Sequence, residues 1–258
     1  MNVVIITGAS SGIGMEFAFQ MDNYFDAIDE FWLVARNRER LEEVAKALKH
    51  RTKVLAMDIT DEKNLDDLED LLIKNNATVR MLINAAGFGI MGAFSEQDRA
   101  TTLQMVRLNC EALTGLTHRM IPFMRRNSRI IQMASSAAFM PQPDFAVYAA
   151  TKAYVLSFSR ALGEELKKAG IYVTSVCPGP VDTPFFDIAE KTGTTLAIKK
   201  YTMVNPEKVV ALALRDSYYK RAMSVCSLPI KGFQGLAKTM PHDVLFRAME
   251  NLQKKGIY

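Results

Sequence analysis

The chain is poor in the residues that staple or metallate small proteins. Its three cysteines, Cys110, Cys177 and Cys226, are odd in number and widely spaced, which excludes a disulfide framework and points to buried, reduced thiols. Three histidines, His50, His118 and His242, share no ligand spacing with one another or with the cysteines, so no metal site is expected. No uncharged apolar run approaches the roughly 20 residues needed to cross a bilayer, so no integral membrane segment is expected. Charge of one sign is not concentrated anywhere. Lys and Arg number 32 against 28 Asp and Glu and are interspersed with them, a pattern of solvated helix faces rather than of a nucleic-acid partner. Internal repeats and low-complexity linkers are also missing, which leaves a single domain over residues 1–258 as the expected organisation. Met1 and Asn2 lead directly into Val3-Val4-Ile5-Ile6, so no secretory leader or transit peptide is expected, and the location expected is cytoplasmic.

What the sequence contains is an alternation. Short runs rich in Val, Ile and Leu stand at 3–8 (VVIITG), 31–35 (FWLVA), 53–60 (KVLAMDIT), 79–87 (VRMLINAAG), 129–135 (RIIQMAS) and 171–177 (IYVTSVC), with a last one at 221–226 (RAMSVC). Apolar runs of that length bounded by turn residues read as strands buried on both faces. Between them lie segments of helical composition at 38–50, 61–75, 145–166 and 207–220, and a stretch from Ser95 to Arg126 broken at most once. Thr60-Asp61 and Asn205-Pro206-Glu207 suit helix starts. Strand and helix in alternation predict an α/β fold, one doubly wound parallel sheet with helices on both faces.

Three features carry chemistry. The first strand feeds a helix through TGASSGIG, which places Gly8, Gly12 and Gly14 where backbone N–H groups and a helix N-terminus meet a pyrophosphate. Ser10 or Ser11 can add a hydroxyl to a phosphate there. The end of the second strand discriminates between dinucleotides, since an acid binds the ribose hydroxyls whereas an arginine pairs with a 2′-phosphate. Ala35 is followed by Arg36-Asn37-Arg38 with no acid before Glu39, so NADP(H) is favoured and Arg36 is its main selector. Finally, Tyr148 and Lys152 stand four apart in one long helix, on one face. The ammonium is expected to lower a phenol pKa that is about 10 in model peptides, making Tyr148 a proton donor or acceptor near neutral pH. Ser135, at a strand's end and thirteen residues before Tyr148, can hydrogen-bond a substrate oxygen while Tyr148 exchanges its proton.

The GxxxGxG spacing together with Ser135, Tyr148 and Lys152 resembles the short-chain dehydrogenase/reductase family, over residues 2 to about 227. The resemblance implies a single Rossmann-type domain with seven parallel strands in the order 3-2-1-4-5-6-7. It implies further cofactor contacts at Ile13, at Asp58 with the backbone of Ile59 on the adenine, and at Asn84, Ala85 and Gly87 in the NAAG turn. Around the nicotinamide it implies Pro178, Gly179, Val181 and Thr183, with Tyr148 and Lys152 at the ribose. Asn109 is implied as the fourth catalytic residue, distorting its helix and holding a water that links Lys152 to solvent. Departures from the family pattern are Ala85 for a second Asn, Arg80 for an Asp before the fourth strand, and Phe139 near a common Gly. The spacing of thirteen favours Ser135 over Ser136, the second serine being the one used in many relatives with an SS pair.

The activity implied is hydride transfer between nicotinamide C4 and a carbonyl or carbinol carbon of a small molecule, reduction being the favoured direction. Residues 184–205 are expected to form a substrate lid whose apolar members, Phe185, Phe186, Ile188, Leu196 and Ile198, suggest a lipophilic substrate such as a hydroxysteroid- or bile-acid-like ketone. Residues 228–258 are expected as a C-terminal extension that closes the pocket, makes a subunit contact or lies on a membrane surface. Pairing into a homodimer or homotetramer is implied through the helices that carry Asn109 and Tyr148. The alternatives are a 3-oxoacyl thioester reductase and a non-catalytic NADP(H)-sensing binding protein.

Overall fold

Unbroken β-branched runs cannot leave either face in water, so the strands of this chain must be covered by helices on both sides. A computed structural model describes residues 1–24, 27–192 and 202–247. Its strands are β1 (Asn2–Thr7), β2 (Glu30–Ala35), β3 (Thr52–Ala56), β4 (Thr78–Asn84), β5 (Met124–Met133), β6 (Tyr172–Val176) and β7 (Met223–Ser224). They form one parallel sheet in the order β3-β2-β1-β4-β5-β6-β7. The strand–helix alternation is thus realised as a seven-stranded doubly wound sheet.

Within β1, side chains alternate between two cores. Val4 and Ile6 pack with Phe17 and Met21 of α1 (Gly12–Tyr24) and with Val209, Val210 and Ala213 of the helix Pro206–Tyr218. Val3 and Ile5 face the other way, against Leu65, Leu68 and Leu72 of α3 (Glu62–Lys74) and Leu116 and Met120 further along. Helix starts follow side-chain chemistry. Asn37 accepts a hydrogen bond from the Arg40 N–H at the head of α2 (Arg38–Ala47), Asp61 from Lys63 ahead of α3, and Asn205 from Glu207.

The register aligns Thr7 with Val34 on one side and Asn84 on the other, and Asn84 with Gln132. The carboxyl ends of these strands therefore open on one edge of the sheet. The chain winds outward from β1 to β3, then returns to β4 on the opposite side of β1. That reversal leaves a crevice above β1 and β4, the place where open α/β sheets bind ligands.

The long helical stretch expected from Ser95 to Arg126 is shorter and more divided. It consists of a 3-10 turn at Phe94–Glu96, α4 (Arg99–Val106), a π-turn (Arg107–Ala112), α5 (Leu113–Met120) and a 3-10 turn (Ile121–Phe123). Met124, Arg125 and Arg126 belong to β5 instead. Pro122 lacks an N–H to continue a helix, Asn127 turns into the left-handed region at φ 69°, and the Ser128 hydroxyl bonds the Val79 carbonyl of β4 at 2.8 Å. The last strand is also shorter than RAMSVC, two residues only.

A buried polar triad ties β4, β5 and α5 together. The Asn84 amide donates to the Thr117 hydroxyl at 3.0 Å and to the Gln132 amide oxygen at 2.9 Å, and Gln132 donates to the same hydroxyl at 3.0 Å. Removing that hydroxyl would strand two amides in the core. Thr117→Val is therefore expected to destabilise the fold by about 1–3 kcal/mol, read as an earlier midpoint in urea unfolding; an unchanged midpoint would mean that the amides find other partners.

Candidate active site

The turn between β1 and α1 is built for close backbone approach. Gly8 sits at φ 68°, and a Cβ there would come to 2.9 Å from the Ala86 nitrogen; a Cβ on Gly14 would overlap the Gly8 carbonyl. The Thr7 hydroxyl, accepting hydrogen bonds from Ala85 and Ala86 N–H at 3.1 Å each, pins the loop after β4 against this turn. α1 begins at Gly12, so its free N–H groups open into the crevice beside Ser10, Ser11, Gly12 and Ile13. Thr183, arriving from the loop after β6, covers Gly12.

The crevice is a cleft of about 850 Å³ running across the carboxyl edge of the sheet. One end is lined by Arg36 and Asn37 after β2 and by Asp58 and Ile59 after β3; Arg36 is exposed to solvent. Asp58 uses one oxygen to accept from both the Thr60 N–H and hydroxyl, at 2.9 and 2.8 Å, so it holds a turn as well as lining the cleft. Ala85 and Gly87 form the floor, and Pro178, Gly179, Val181 and Thr183 the far side. Val204 returns to pair with this loop, its N–H donating to the Pro180 carbonyl at 2.9 Å. A cradle of N–H groups at a helix start, a cation at the end of β2 and a long floor without bulky side chains fits a nicotinamide dinucleotide laid along the edge.

At the centre lie Ser135, Tyr148 and Lys152. Ser135 lies two residues past β5 and caps a 3-10 turn (Ser136–Phe139), its oxygen accepting from Ala137 N–H at 3.1 Å. Its side chain also hydrogen-bonds that of Tyr148. Tyr148 and Lys152 both lie on α6 (Ala146–Leu166), buried against β5. Ser136 lines the cleft too, with its N–H on the Pro178 carbonyl at 2.8 Å.

The expected lowering of the Tyr148 pKa is not what this geometry produces. Burial pushes the phenol up to about 12, the hydrogen bond from Ser135 opposing that rise only in part. Lys152 turns its ammonium to the Met133 carbonyl at 2.8 Å and meets the face of the phenol ring, 5.6 Å from its centre, rather than the hydroxyl. Burial in turn depresses Lys152 to about 8. The reason is common to both: in an apolar pocket, loss of hydration penalises phenolate and ammonium alike. Tyr148 is consequently protonated at neutral pH, the form that can donate a proton.

Of two other predicted residues, one is placed otherwise than expected and one makes contacts beyond those expected. Asn84 does not line the cleft; its amide is spent on the triad with Thr117 and Gln132, and only the backbone that follows reaches the floor. Asn109 lies in the π-turn, so the helix is distorted where the resemblance implied. Its amide clamps the Phe88 backbone, accepting from the N–H at 3.1 Å and donating to the carbonyl at 2.8 Å, with a further bond to Thr151. Asn109 and Lys152 converge on Gly87, where a Cβ would stand 2.9 Å from the Asn109 oxygen and 3.4 Å from the Lys152 nitrogen. Of the lid residues, Phe185, Phe186 and Ile188 line the cleft; Leu196 and Ile198 lie outside the described residues.

Residues 2–193 match the family model described as short chain dehydrogenase. The chain belongs to the short-chain dehydrogenase family. An uncharacterized oxidoreductase from Staphylococcus epidermidis is 33% identical to it over 184 residues, covering 70% of this chain and 79% of the relative. The structure of a short-chain dehydrogenase from Sphingobium yanoikuyae in complex with NADPH is similar at a TM-score of 0.78 and 28% identity, over 98% of this chain and 95% of that one. A Burkholderia phymatum member in complex with NAD shares the fold at a TM-score of 0.79 and 20% identity, over 91% and 92% of the two chains. As an oxidoreductase of a family that uses nicotinamide cofactors, this short-chain dehydrogenase has a cleft of the expected kind in the expected place.

Sequence reasoning overlooked Phe145, and of residues 228–258, for which closing the pocket was one expected role, it singled out no side chain. Phe145 stacks on Tyr148 at 4.2 Å between ring centres, with Phe185 5.4 Å away on the tyrosine's other flank. The signal was present, since residues three apart share a helix face. Pro229, Ile230 and Phe233, on the helix Leu228–Thr239, close the cleft from the side of β6; nothing local distinguishes that helix from a surface one.

A pH-dependent test of the lysine follows from linkage. Lys152 near 8 in the fold, against about 10.4 when unfolded, weakens the fold below about pH 8, and the penalty fades as pH rises toward 10.4. Lys152→Met is expected to raise the thermal midpoint at neutral pH while activity is lost, the stability advantage shrinking between about pH 8 and 10. A variant less stable at neutral pH would mean that the bond to Met133 outweighs desolvation.

Proposed function

We propose that this chain is an NADP(H)-dependent carbonyl reductase acting on a lipophilic ketone or aldehyde to give the alcohol. The observation that carries the reading is the convergence of Ser135, Tyr148 and Lys152 in a cleft continuous with the glycine turn. Hydride for the reaction comes from the reduced nicotinamide when the dinucleotide is bound. Ser135 orients the substrate oxygen and Tyr148 donates its proton as negative charge develops there. Lys152 supplies positive charge beneath the phenol and a donor for the ribose. Asn109 holds the Gly87–Phe88 turn and, through its distorted helix, supports proton resupply.

Carbonyl reduction is favoured by a phenol that rests protonated and by an NADPH pool kept reduced in cytoplasm, the location that suits three free thiols. The adenosine end is read by Arg36, just past β2 in a stretch with no acid before Glu39, with Asp58 and Ile59 at the adenine. The phosphates lie against Ser10, Ser11 and the turn from Gly8 to Gly14, the nicotinamide against Pro178, Gly179, Val181 and Thr183. The lipophilic choice is supported by Phe88, Phe145, Phe185 and Phe186 around Tyr148, and by the helix Leu228–Thr239, which acts as a wall of the pocket. A homodimer is supported by an exposed apolar strip, Phe94, Leu103, Val106 and Tyr154, beside a shallow depression lined by Ala146, Val147 and Ala150. Among the described residues no helix is long and apolar enough to cross a membrane.

Two measurements test the reading. Oxidation of NADPH over a panel of sterol, aryl and alkyl ketones and a 3-oxoacyl thioester should reveal turnover, and Tyr148→Phe should abolish it while still binding NADPH. Tight NADPH binding with no turnover on any member would instead favour a sensor. Arg36→Asp should weaken NADPH far more than NADH, by about 1.5–3 kcal/mol in binding, whereas equal losses would remove Arg36 as the selector.

A further inference from the structure

The substrate half of the cleft has an electrostatic asymmetry that the hydride chemistry does not use. The segment Phe185-Phe186-Asp187-Ile188-Ala189-Glu190-Lys191 carries three charged side chains, and of these only Lys191 lines the cleft, together with the apolar Phe185, Phe186 and Ile188. The two carboxylates are directed elsewhere. Gln104, Gln142 and Thr202 are the other polar side chains on that side of Tyr148, so no acid among the described residues faces the lysine there; the acid lining the cleft is Asp58, at the adenine end. Lys191 forms no ion pair with any described residue.

The backbone around Lys191 is anchored on both sides. The Met91 N–H donates to the Ala189 carbonyl at 2.9 Å, and the Thr192 hydroxyl donates to the Met91 carbonyl at 2.5 Å. The next N–H, of Gly92, bonds the carbonyl of Asp144 at 2.7 Å, directly before the Phe145 that stacks on Tyr148. Lysine and phenol are thus referred to the same loop, at a separation set by it. Phe185, whose ring flanks Tyr148, opens a short helix, Phe185–Ala189, and Lys191 follows two residues past its end.

We infer that the substrate is an anionic amphiphile: a carbonyl compound whose apolar body lies against the phenylalanines and whose carboxylate pairs with Lys191. This rests on the carbonyl-reductase reading and adds the class of substrate to it. A neutral lipophile would leave the cation facing an apolar body, whereas an acid gains a charge-assisted contact in a cleft with no competing carboxylate.

The test compares aryl ketones that carry a carboxylate at the end remote from the carbonyl, over a series of spacer lengths, with their methyl esters, NADPH being the reductant. The wild-type chain should prefer each acid over its ester in kcat/KM by about tenfold, a preference that declines with added salt. Lys191→Gln should erase the ratio through the KM of the acid, and Lys191→Glu should invert it; thermal midpoints confirm that both variants are folded. Acid and ester reduced equally well by wild type would overturn the inference while leaving the reductase reading intact. A rise in KM for NADPH larger than that for the acid in Lys191→Gln would also overturn it, placing the lysine on the cofactor's phosphates. Reduction of neither acid nor ester nor any neutral ketone would remove the reductase reading itself, and this inference with it.

Discussion

Two ionisable side chains, Tyr148 and Lys152, are taken out of water at the end of β5, and the rest of the site is arranged around that desolvation. An isolated buried ammonium is costly unless it is hydrogen-bonded, and the Met133 carbonyl supplies the bond. An isolated buried phenol is tolerated because it stays neutral, and Ser135 gives it a partner. Helix α6 can bring both residues there only because Ala149, Val155 and Leu162 anchor it by burial. The polar triad below, Asn84 with Thr117 and Gln132, holds the neighbouring ends of β4 and β5 in register, so the floor of the cleft and Ser135 keep their spacing.

Much of this was legible in the sequence because it depends on local spacing. The period of strand and helix foretold the sheet; the glycines foretold a close-approach turn between β1 and α1, which has positive φ at Gly8 and Gly12; and the interval of four put Tyr148 and Lys152 on one helix face. Arg36 was legible for the same reason, being the residue just past a strand end. What could not be read is set by burial and by which way a side chain turns. Asn84 follows an apolar strand in a turn-like motif, yet its amide points into the core, where two partners from distant segments wait. The phenol was expected to be acidified by its lysine neighbour, a judgement that ignores the surrounding medium; the ring stack with Phe145 and Phe185 makes that medium apolar and reverses the sign.

The region after α4 shows the same division. The sequence of Ser95 to Arg126 has helical composition throughout, but Asn109 lies in a π-turn and binds the Phe88 backbone, and Pro122 ends the last turn before β5. Propensity identified the helix; only the contact with the loop after β4 explains where it is distorted. A π-turn inserts a residue into the helical repeat, and here that change of phase lets one amide reach both the N–H and the carbonyl of a single neighbour.

The wall formed by Pro229, Ile230 and Phe233 belongs to a helix that follows the last strand. Its residues contribute to no sheet register and to no part of the glycine turn. Exchanges at Pro229 or Phe233 can therefore widen or narrow the chamber, whereas one at Ile230, which packs on Gly179, would also be felt in the loop after β6. Within this architecture the width of the chamber is set in large part by a stretch of polypeptide outside the sheet and the glycine turn, so it can drift while both are held.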